Sequence, residues 1–425
     1  MSAEPGAERP TEVTHEPSAE VEEKGCPETG RGLLAGISLP AAVVHEAPLA
    51  HNLIWMQRFA EARGAHLAPH GKTTMAPALF RRQLEAGAWG MTLATAPQCR
   101  AAFAHGIRRL LLANQLVGEA NMAIVAGLIE AGAELFVVVD GEANVAALDR
   151  YFSARGLRLP VLIELGIPGG RCGCRSAEAV LALARRVNQA PALRLAGLEG
   201  YEGVVAADDP ETAVRAYARE LVTAAHTLAG KGLFEREVPL VTAAGSAWYD
   251  LIAEAFHTLA PSQAFAPVLR PGCYVVHDHG LYAEAQRHLL AREGEAEGLR
   301  PALEVFAQVQ SLPEPGLAIV AMGRRDVGGD RMPLALRRYR EGGDPAAVLP
   351  VAGWEVVKLM DQHAFVRLPE SAGDMGVGDV RIGDVRVGDI VAFGVSHPCL
   401  TFDRWRAVLR VDDRLEVQEV MATCF

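Results

Sequence analysis

The sequence predicts an α/β protein in two parts, a (β/α)8 TIM barrel followed by a C-terminal antiparallel β-domain, and three observations carry that expectation. The chain has 425 residues, more than one compact domain usually holds, and half of them are hydrophobic. From about residue 39, short β-like runs alternate with alanine- and leucine-rich helical stretches, the pattern of repeated βα units. Beyond roughly residue 285, glycine, proline and valine rise and strands replace helices.

Taken in order, residues 1–30 carry Glu4, Glu8, Glu12, Glu16, Glu20, Glu22 and Glu23 with prolines between them. They have neither a basic start nor an apolar segment, so they read as a disordered acidic tail and not as a signal peptide. Residues 36–285 form the barrel, with strands at 66–69, 91–94, 109–113, 135–139, 160–165, 195–200, 240–243 and 267–276. Helical stretches at 49–62, 76–86, 120–130, 177–188 and 209–228 lie between them. A barrel of this kind builds its active site from loops at the carboxyl ends of its strands. Residues 286–425 form the β-domain, with strands at 303–309, 317–321, 355–360, 364–368 and 389–393.

Composition narrows the function. A net charge of −11 and scattered arginines argue against a nucleic-acid partner. Seven cysteines in so long a chain are no disulfide framework, which points to a reducing compartment and to thiols free to act as ligands. No stretch of about twenty residues is apolar throughout, so the expectation is a soluble, cytoplasmic protein without a membrane span.

Two motifs carry chemistry. The turn Ala68-Pro69-His70-Gly71-Lys72-Thr73 follows the first strand; Pro69 stiffens it and Gly71 lets it bend, so that Lys72 is aimed into the barrel mouth. Of the four lysines only Lys72 has this setting, since Lys24 lies in the tail, Lys231 in a Gly-Lys-Gly turn and Lys358 in an apolar stretch. Burial at a strand end would keep such an amine reactive toward a carbonyl cofactor. His397 and Cys399, two residues apart, point the same way on an extended backbone and can grip one ion, imidazole plus thiolate suiting zinc. With only two protein ligands that ion keeps open positions for substrate. A cofactor phosphate would find backbone N–H groups after strands seven and eight, at Ala244-Gly245-Ser246 and Arg270-Pro271-Gly272-Cys273-Tyr274. Glu164 and Tyr201 end strands five and six, as ring-facing or as packing residues, and Cys172-Gly173-Cys174 reads as a loop more than as a redox pair.

With Pro69-His70-Gly71-Lys72-Thr73, Arg171-Cys172-Gly173, Gly197-Leu198-Glu199-Gly200-Tyr201, Arg270-Pro271-Gly272 before Tyr274, and Ser396-His397-Pro398-Cys399, the chain resembles the D-serine dehydratase and D-threonine aldolase family. These are fold-type III pyridoxal phosphate enzymes related to alanine racemase, and the likeness spans about residues 36–410. It implies an alanine racemase-like barrel in which Lys72 carries pyridoxal 5′-phosphate and serves as base. It also implies that His397 and Cys399 hold zinc or another divalent cation, that Gly245, Ser246, Gly272 and Tyr274 lie on the phosphate side, and that Tyr201 lies beside the ring. The chain departs from many members at Ala68, where they have Arg, and at Thr74-Met75, where they have His-Lys. The expected activity is that of a lyase, a metal-assisted dehydratase or deaminase that converts a D-3-hydroxy amino acid such as D-serine or D-threonine to a 2-oxo acid and ammonia. Retro-aldol cleavage to glycine and an aldehyde is the alternative, and a non-catalytic carrier of pyridoxal phosphate is a third. The resemblance further implies a homodimer.

Overall fold

The computed structural model describes residue 24 and residues 28–259, 264–369 and 384–425. The acidic tail expected over 1–30 lies almost wholly outside the described residues. Strand β1 (Ala41–His45) and helix α1 (Glu46–Glu61) lead into eight βα units. Their strands are β2 (His66–Leu67), β3 (Met91–Leu93), β4 (Arg109–Gln115), β5 (Glu134–Val139), β6 (Leu159–Leu165), β7 (Leu193–Gly200), β8 (Leu240–Ala243) and β9 (Ala266–Leu269). Each is followed by its helix: α2 (Pro77–Glu85), α3 (Ala96–Ala104), α4 (Glu119–Glu130), α5 (Glu142–Ser153), α6 (Ala177–Val187), α7 (Pro210–Gly230), α8 (Tyr249–His257) and α9 (Leu281–Glu293).

Strands covered on both faces read as unbroken apolar runs, and Leu135 to Val139 of β5 are all buried. Helix α7 shows the complementary logic. Asp209 caps the Thr212 N–H at 3.1 Å, Pro210 opens the first turn, and Val214, Tyr217, Ala218, Leu221, Ala224, Ala225 and Leu228 recur on the buried face. The parallel sheet runs β2-β9-β8-β7-β6-β5-β4-β3. Its outer strands meet through Trp89 N–H to Leu67 O at 2.7 Å, Thr92 N–H to Pro69 O at 2.9 Å and a parallel bridge between His70 and Thr92. The sheet thus curls into the expected barrel. Leu111, Phe136, Leu162, Ala196, Leu240 and Val268 form a separate apolar plug with Ala68. Gly197 is required at one crossing, because a Cβ there would lie 2.1 Å from Leu240 O.

The strands after α9 are β10 (Leu303–Glu314), β11 (Leu317–Val320), β12 (Leu334–Tyr339), β13 (Glu355–Leu359), β14 (Ala364–Arg367), β15 (Ile390–Gly394), β16 (Ala407–Val411) and β17 (Val417–Ala422). They form a second sheet that runs β13-β14-β11-β10-β1-β16-β17, with β15 paired to β10 and β12. The boundaries drawn from sequence differ from this at two points. Residues 41–45, assigned there to the barrel, belong to the second sheet: β1 pairs antiparallel with β10, Ala41 opposite Phe306, and parallel with β16, Val43 opposite Leu409. The division at 285 falls inside α9, which packs Leu289 into the core shared by both parts. That core joins Leu53 and Leu79 of the barrel helices to Val305, Phe393 and Val408 of the second sheet. Among the described residues no helix is long and apolar enough to cross a membrane.

Candidate active site and metal centre

The first barrel strand delivers Lys72. After β2 the chain stays extended through His70, then turns tightly over Gly71–Thr73. Gly71 packs where a Cβ would stand 2.9 Å from the Phe80 ring, and Thr73 is buried. Lys72 between them is exposed, contrary to the burial expected of it, because the short turn rotates its side chain away from both neighbours. Beside it His70 is half-buried, with its Nδ1 fully enclosed. Burial, then the cations of Lys72, Arg270 and Arg171, hold its imidazole well below the ordinary range, and its Nδ1 has no hydrogen-bond partner among the described residues.

A charged layer lies between the apolar plug and the mouth. Glu164 of β6 and Glu199 of β7 are register partners and so share one face of the sheet. Arg270, just past β9, pairs with Glu199 and donates to Gly200 O at 2.8 Å. Gln115 donates to Glu164 at 2.6 Å, and the Arg171 guanidinium sits 4.8 Å from the Tyr201 ring centroid. Burial, reinforced by the Glu199 charge, pushes the Glu164 carboxyl up to about 7. Between the ordinary carboxylate value and 7 the folded chain therefore holds a proton that the unfolded chain has released. Stability falls as pH rises through that window and stays reduced above it. Glu164→Gln, which cannot ionise, is expected to remove the loss. Thermal midpoints of the two proteins should differ more at about pH 8 than at about pH 5, with the variant higher; an equal gap at both would contradict the assignment.

The loops after β8 and β9 bring several backbone N–H groups together. Ala244 takes a left-handed conformation (φ +83°), which makes successive N–H groups converge. The N–H groups of Ala244 and Gly245 donate to the Glu202 carboxylate at 3.2 and 2.6 Å, and those of Gly272 and Cys273 donate to Ser246 Oγ at 3.2 and 3.0 Å. Burial pushes the Glu202 carboxyl up in pKa. Sequence reasoning passed over Glu202 as a ligand of this nest, since nothing local marks a carboxylate for N–H groups more than forty residues away. A Cβ on Gly272 would lie 2.5 Å from Thr73 Oγ1, and one on Gly245 3.0 Å from the Tyr201 ring, so Tyr201, Gly245, Ser246 and Gly272 converge on one mouth with the Lys72 turn. Tyr274 does not. It is buried and its hydroxyl accepts from Gln83 of α2 at 3.2 Å, which corrects its expected phosphate-side place. The 3₁₀ turn Cys273–Val275 sends successive side chains about 120° apart, so Cys273 faces the mouth and Tyr274 the helix. Cys172-Gly173-Cys174 is a tight loop in which Cys174 is buried on Asp140 O, outside the one cluster of potential metal ligands found among the described residues.

The second domain supplies His397 and Cys399 from the turn after β15 and the start of α10 (Cys399–Phe402). Both are half-buried, and with the buried Cys273 they place one ligand atom each within 4.8 Å of the others. Cys399 Sγ lies 3.7 Å from Cys273 Sγ and 3.4 Å from Thr73 Oγ1. The Cys273 hydrogen bond, then those of His397 and Thr73, hold the Cys399 thiol well below its ordinary pKa, while burial pushes Cys273 up and the Cys399 hydrogen bond raises His397. Asp278, a residue the sequence did not flag, fixes this turn. Its Oδ1 accepts N–H bonds from Gly280, Tyr282 and Ala283 at 3.1, 2.9 and 3.0 Å, and its Oδ2 accepts the His397 N–H at 2.9 Å.

Known proteins resemble the chain in both parts. Residues 44–276 match the alanine racemase N-terminal domain family, and residues 302–411 match the putative serine dehydratase domain. A D-threonine aldolase of Arthrobacter sp is 27% identical over 345 residues, covering 80% of this chain and 82% of that protein. The D-threo-3-hydroxyaspartate dehydratase of Delftia sp. (strain HT23) is 29% identical over 205 residues, 47% of this chain and 54% of that one. The crystal structure of D-threonine aldolase from Filomicrobium marinum shares the fold with a TM-score of 0.76 at 23% identity, over 93% of this chain and 98% of that one. The resemblance first carried by a handful of motifs therefore extends through both domains, and the chain belongs to the alanine racemase N-terminal domain family, as a fold-type III pyridoxal phosphate enzyme whose second domain is of the serine dehydratase type.

Proposed function

We propose that the protein is a pyridoxal phosphate- and metal-dependent lyase that removes the 3-hydroxyl of a D-3-hydroxy amino acid and yields a 2-oxo acid and ammonia. The observation that carries this reading is the 3.4 Å contact between Cys399 and Thr73, because Thr73 directly follows Lys72. It brings the lysine that would carry the cofactor and the pair that would hold a cation to one mouth. The mouth fits both groups: His70 keeps an unpartnered buried nitrogen there, the nest of Ala244 and Gly245 already holds an oxyanion, and imidazole with thiolate is a donor set for zinc. The cofactor, when bound, supplies an electron sink for charge developing at Cα.

The chain's own residues would do the rest. Lys72, exposed at the mouth, would take the Cα proton; His397 and Cys399 would hold a cation able to polarise the hydroxyl; and the N–H groups of Ala244 and Gly245, once released by the Glu202 carboxylate, would hold the phosphate. Retro-aldol cleavage to glycine and an aldehyde is favoured as a second reading by the likeness to D-threonine aldolase, while the serine dehydratase-type second domain favours elimination. Elimination conserves water overall, since the water lost from the substrate returns when the enamine hydrolyses. Incubating the loaded enzyme with D- and L-serine, threonine and 3-hydroxyaspartate, with and without zinc, is expected to give 2-oxo acid and ammonia in equal amounts from the D-isomers only. Glycine plus aldehyde would establish the second reading, and no product from any D-isomer would overturn both.

A further inference from the structure

The sequence offers two cation ligands, and the fold adds a third group beside them. Cys273 stands on the barrel, in the turn after β9, and its sulfur lies 3.7 Å from that of Cys399, which is 126 residues further along the chain. Two thiolates bound to one zinc at about 2.3 Å and a tetrahedral angle stand about 3.8 Å apart, and a thiolate and an imidazole nitrogen about 3.6 Å. The observed sulfur separation already matches, and the His397 nitrogen lies within 4.8 Å of both sulfurs. Ser246 Oγ accepts the Cys273 N–H at 3.0 Å and Asp278 the His397 N–H at 2.9 Å, so each side of the site is held by its own backbone anchor.

We infer that Cys273 is a third protein ligand to the cation, giving a Cys2His site assembled across the two domains; this rests on the reading of His397 and Cys399 as ligands. Three consequences follow from the donor set. Two thiolates and a neutral imidazole balance a divalent charge and select soft or borderline ions such as zinc and cobalt over magnesium or manganese. Three protein ligands leave one open position on a tetrahedral ion, the arrangement of catalytic zinc, so the substrate hydroxyl enters alone instead of chelating with a second group. An ion bound to Cys273 on the barrel and to His397 and Cys399 on the second domain also ties the two together, so its binding raises the thermal midpoint.

The test uses full-length protein stripped of metal and titrated with Zn²⁺ against a chromophoric chelator, then with Co²⁺, reading the thiolate-to-metal absorption. Cys273→Ser is expected to weaken zinc binding by more than the roughly 10–100-fold that loss of an outer-shell partner costs, and to halve the cobalt band. Cys273→Ala, which cannot substitute a hydroxyl, should do the same, and both should lose the thermal shift that zinc gives the wild type. If Cys273→Ala keeps wild-type affinity and band while Cys399→Ser loses them, the third ligand is refuted and the two-ligand reading stands. If the wild type itself takes up no stoichiometric zinc, both fall together.

Discussion

Lys72→Ala is expected to lower turnover by at least about 10²–10⁴-fold, the range a positioned proton-transfer group supplies, with loss of the covalent cofactor link adding to it. None of the other three lysines is placed to replace it. Lys24 pairs with Asp326 and lies 4.0 Å from the Trp405 ring centroid, Lys231 caps the end of α7, and Lys358 of β13 lies over the Phe365 ring. The substitution removes an exposed side chain from a turn whose neighbours, Gly71 and Thr73, make the packing contacts, so stability should change by no more than about 0.5 kcal/mol. The loss would then be chemical and not a consequence of unfolding. Borohydride reduction of the loaded wild type followed by peptide mass mapping should find the cofactor on residue 72, and on no residue of the variant. Undiminished turnover, or a cofactor fixed to another lysine, would refute the assignment.

How far the sequence could be read followed the range of the interactions involved. All eight barrel strands were legible because a parallel strand covered on both faces is a local apolar run, as in β5. Strand β1 was not, since Ala-Ala-Val-Val before a helix looks like any barrel strand and only its partners, Phe306 and Leu409, give it to the other sheet. The same limit separates the three residues of the proposed cation site. His397 and Cys399 declare themselves by a spacing of two, whereas Cys273 joins them only through the tertiary fold. Tyr274 shows the converse error: a family motif fixed its position in the chain, but the 3₁₀ turn decided which way it faced. Turn chemistry singles out Lys72 as a candidate, yet its exposure is not legible, because burial at a strand end depends on what the opposite loops cover.

Asp278→Ala should be the most damaging substitution outside the reacting groups. Its carboxylate is fully buried and accepts four backbone N–H groups, three opening α9 and one from His397. Alanine leaves those donors without an acceptor in a space water does not readily enter; at about 1–3 kcal/mol for each buried unsatisfied donor, a loss of at least about 2 kcal/mol is expected even if only two stay unpaired. The effect also reaches function by geometry. His397 adopts a left-handed conformation (φ +42°) that a non-glycine residue holds only when its surroundings impose it, and the Asp278 bond is one of those constraints. Released from it, the turn should relax and carry the imidazole away from Cys273 and Cys399. Asp278→Asn, which keeps one carbonyl oxygen for the helix start, should recover much of the stability but less of the metal affinity, because an amide cannot offer acceptors on both sides at once. Denaturant midpoints and zinc titrations on the two variants separate the roles: equal recovery of stability and affinity in Asp278→Asn would mean that the carboxylate only caps the helix and does not position His397.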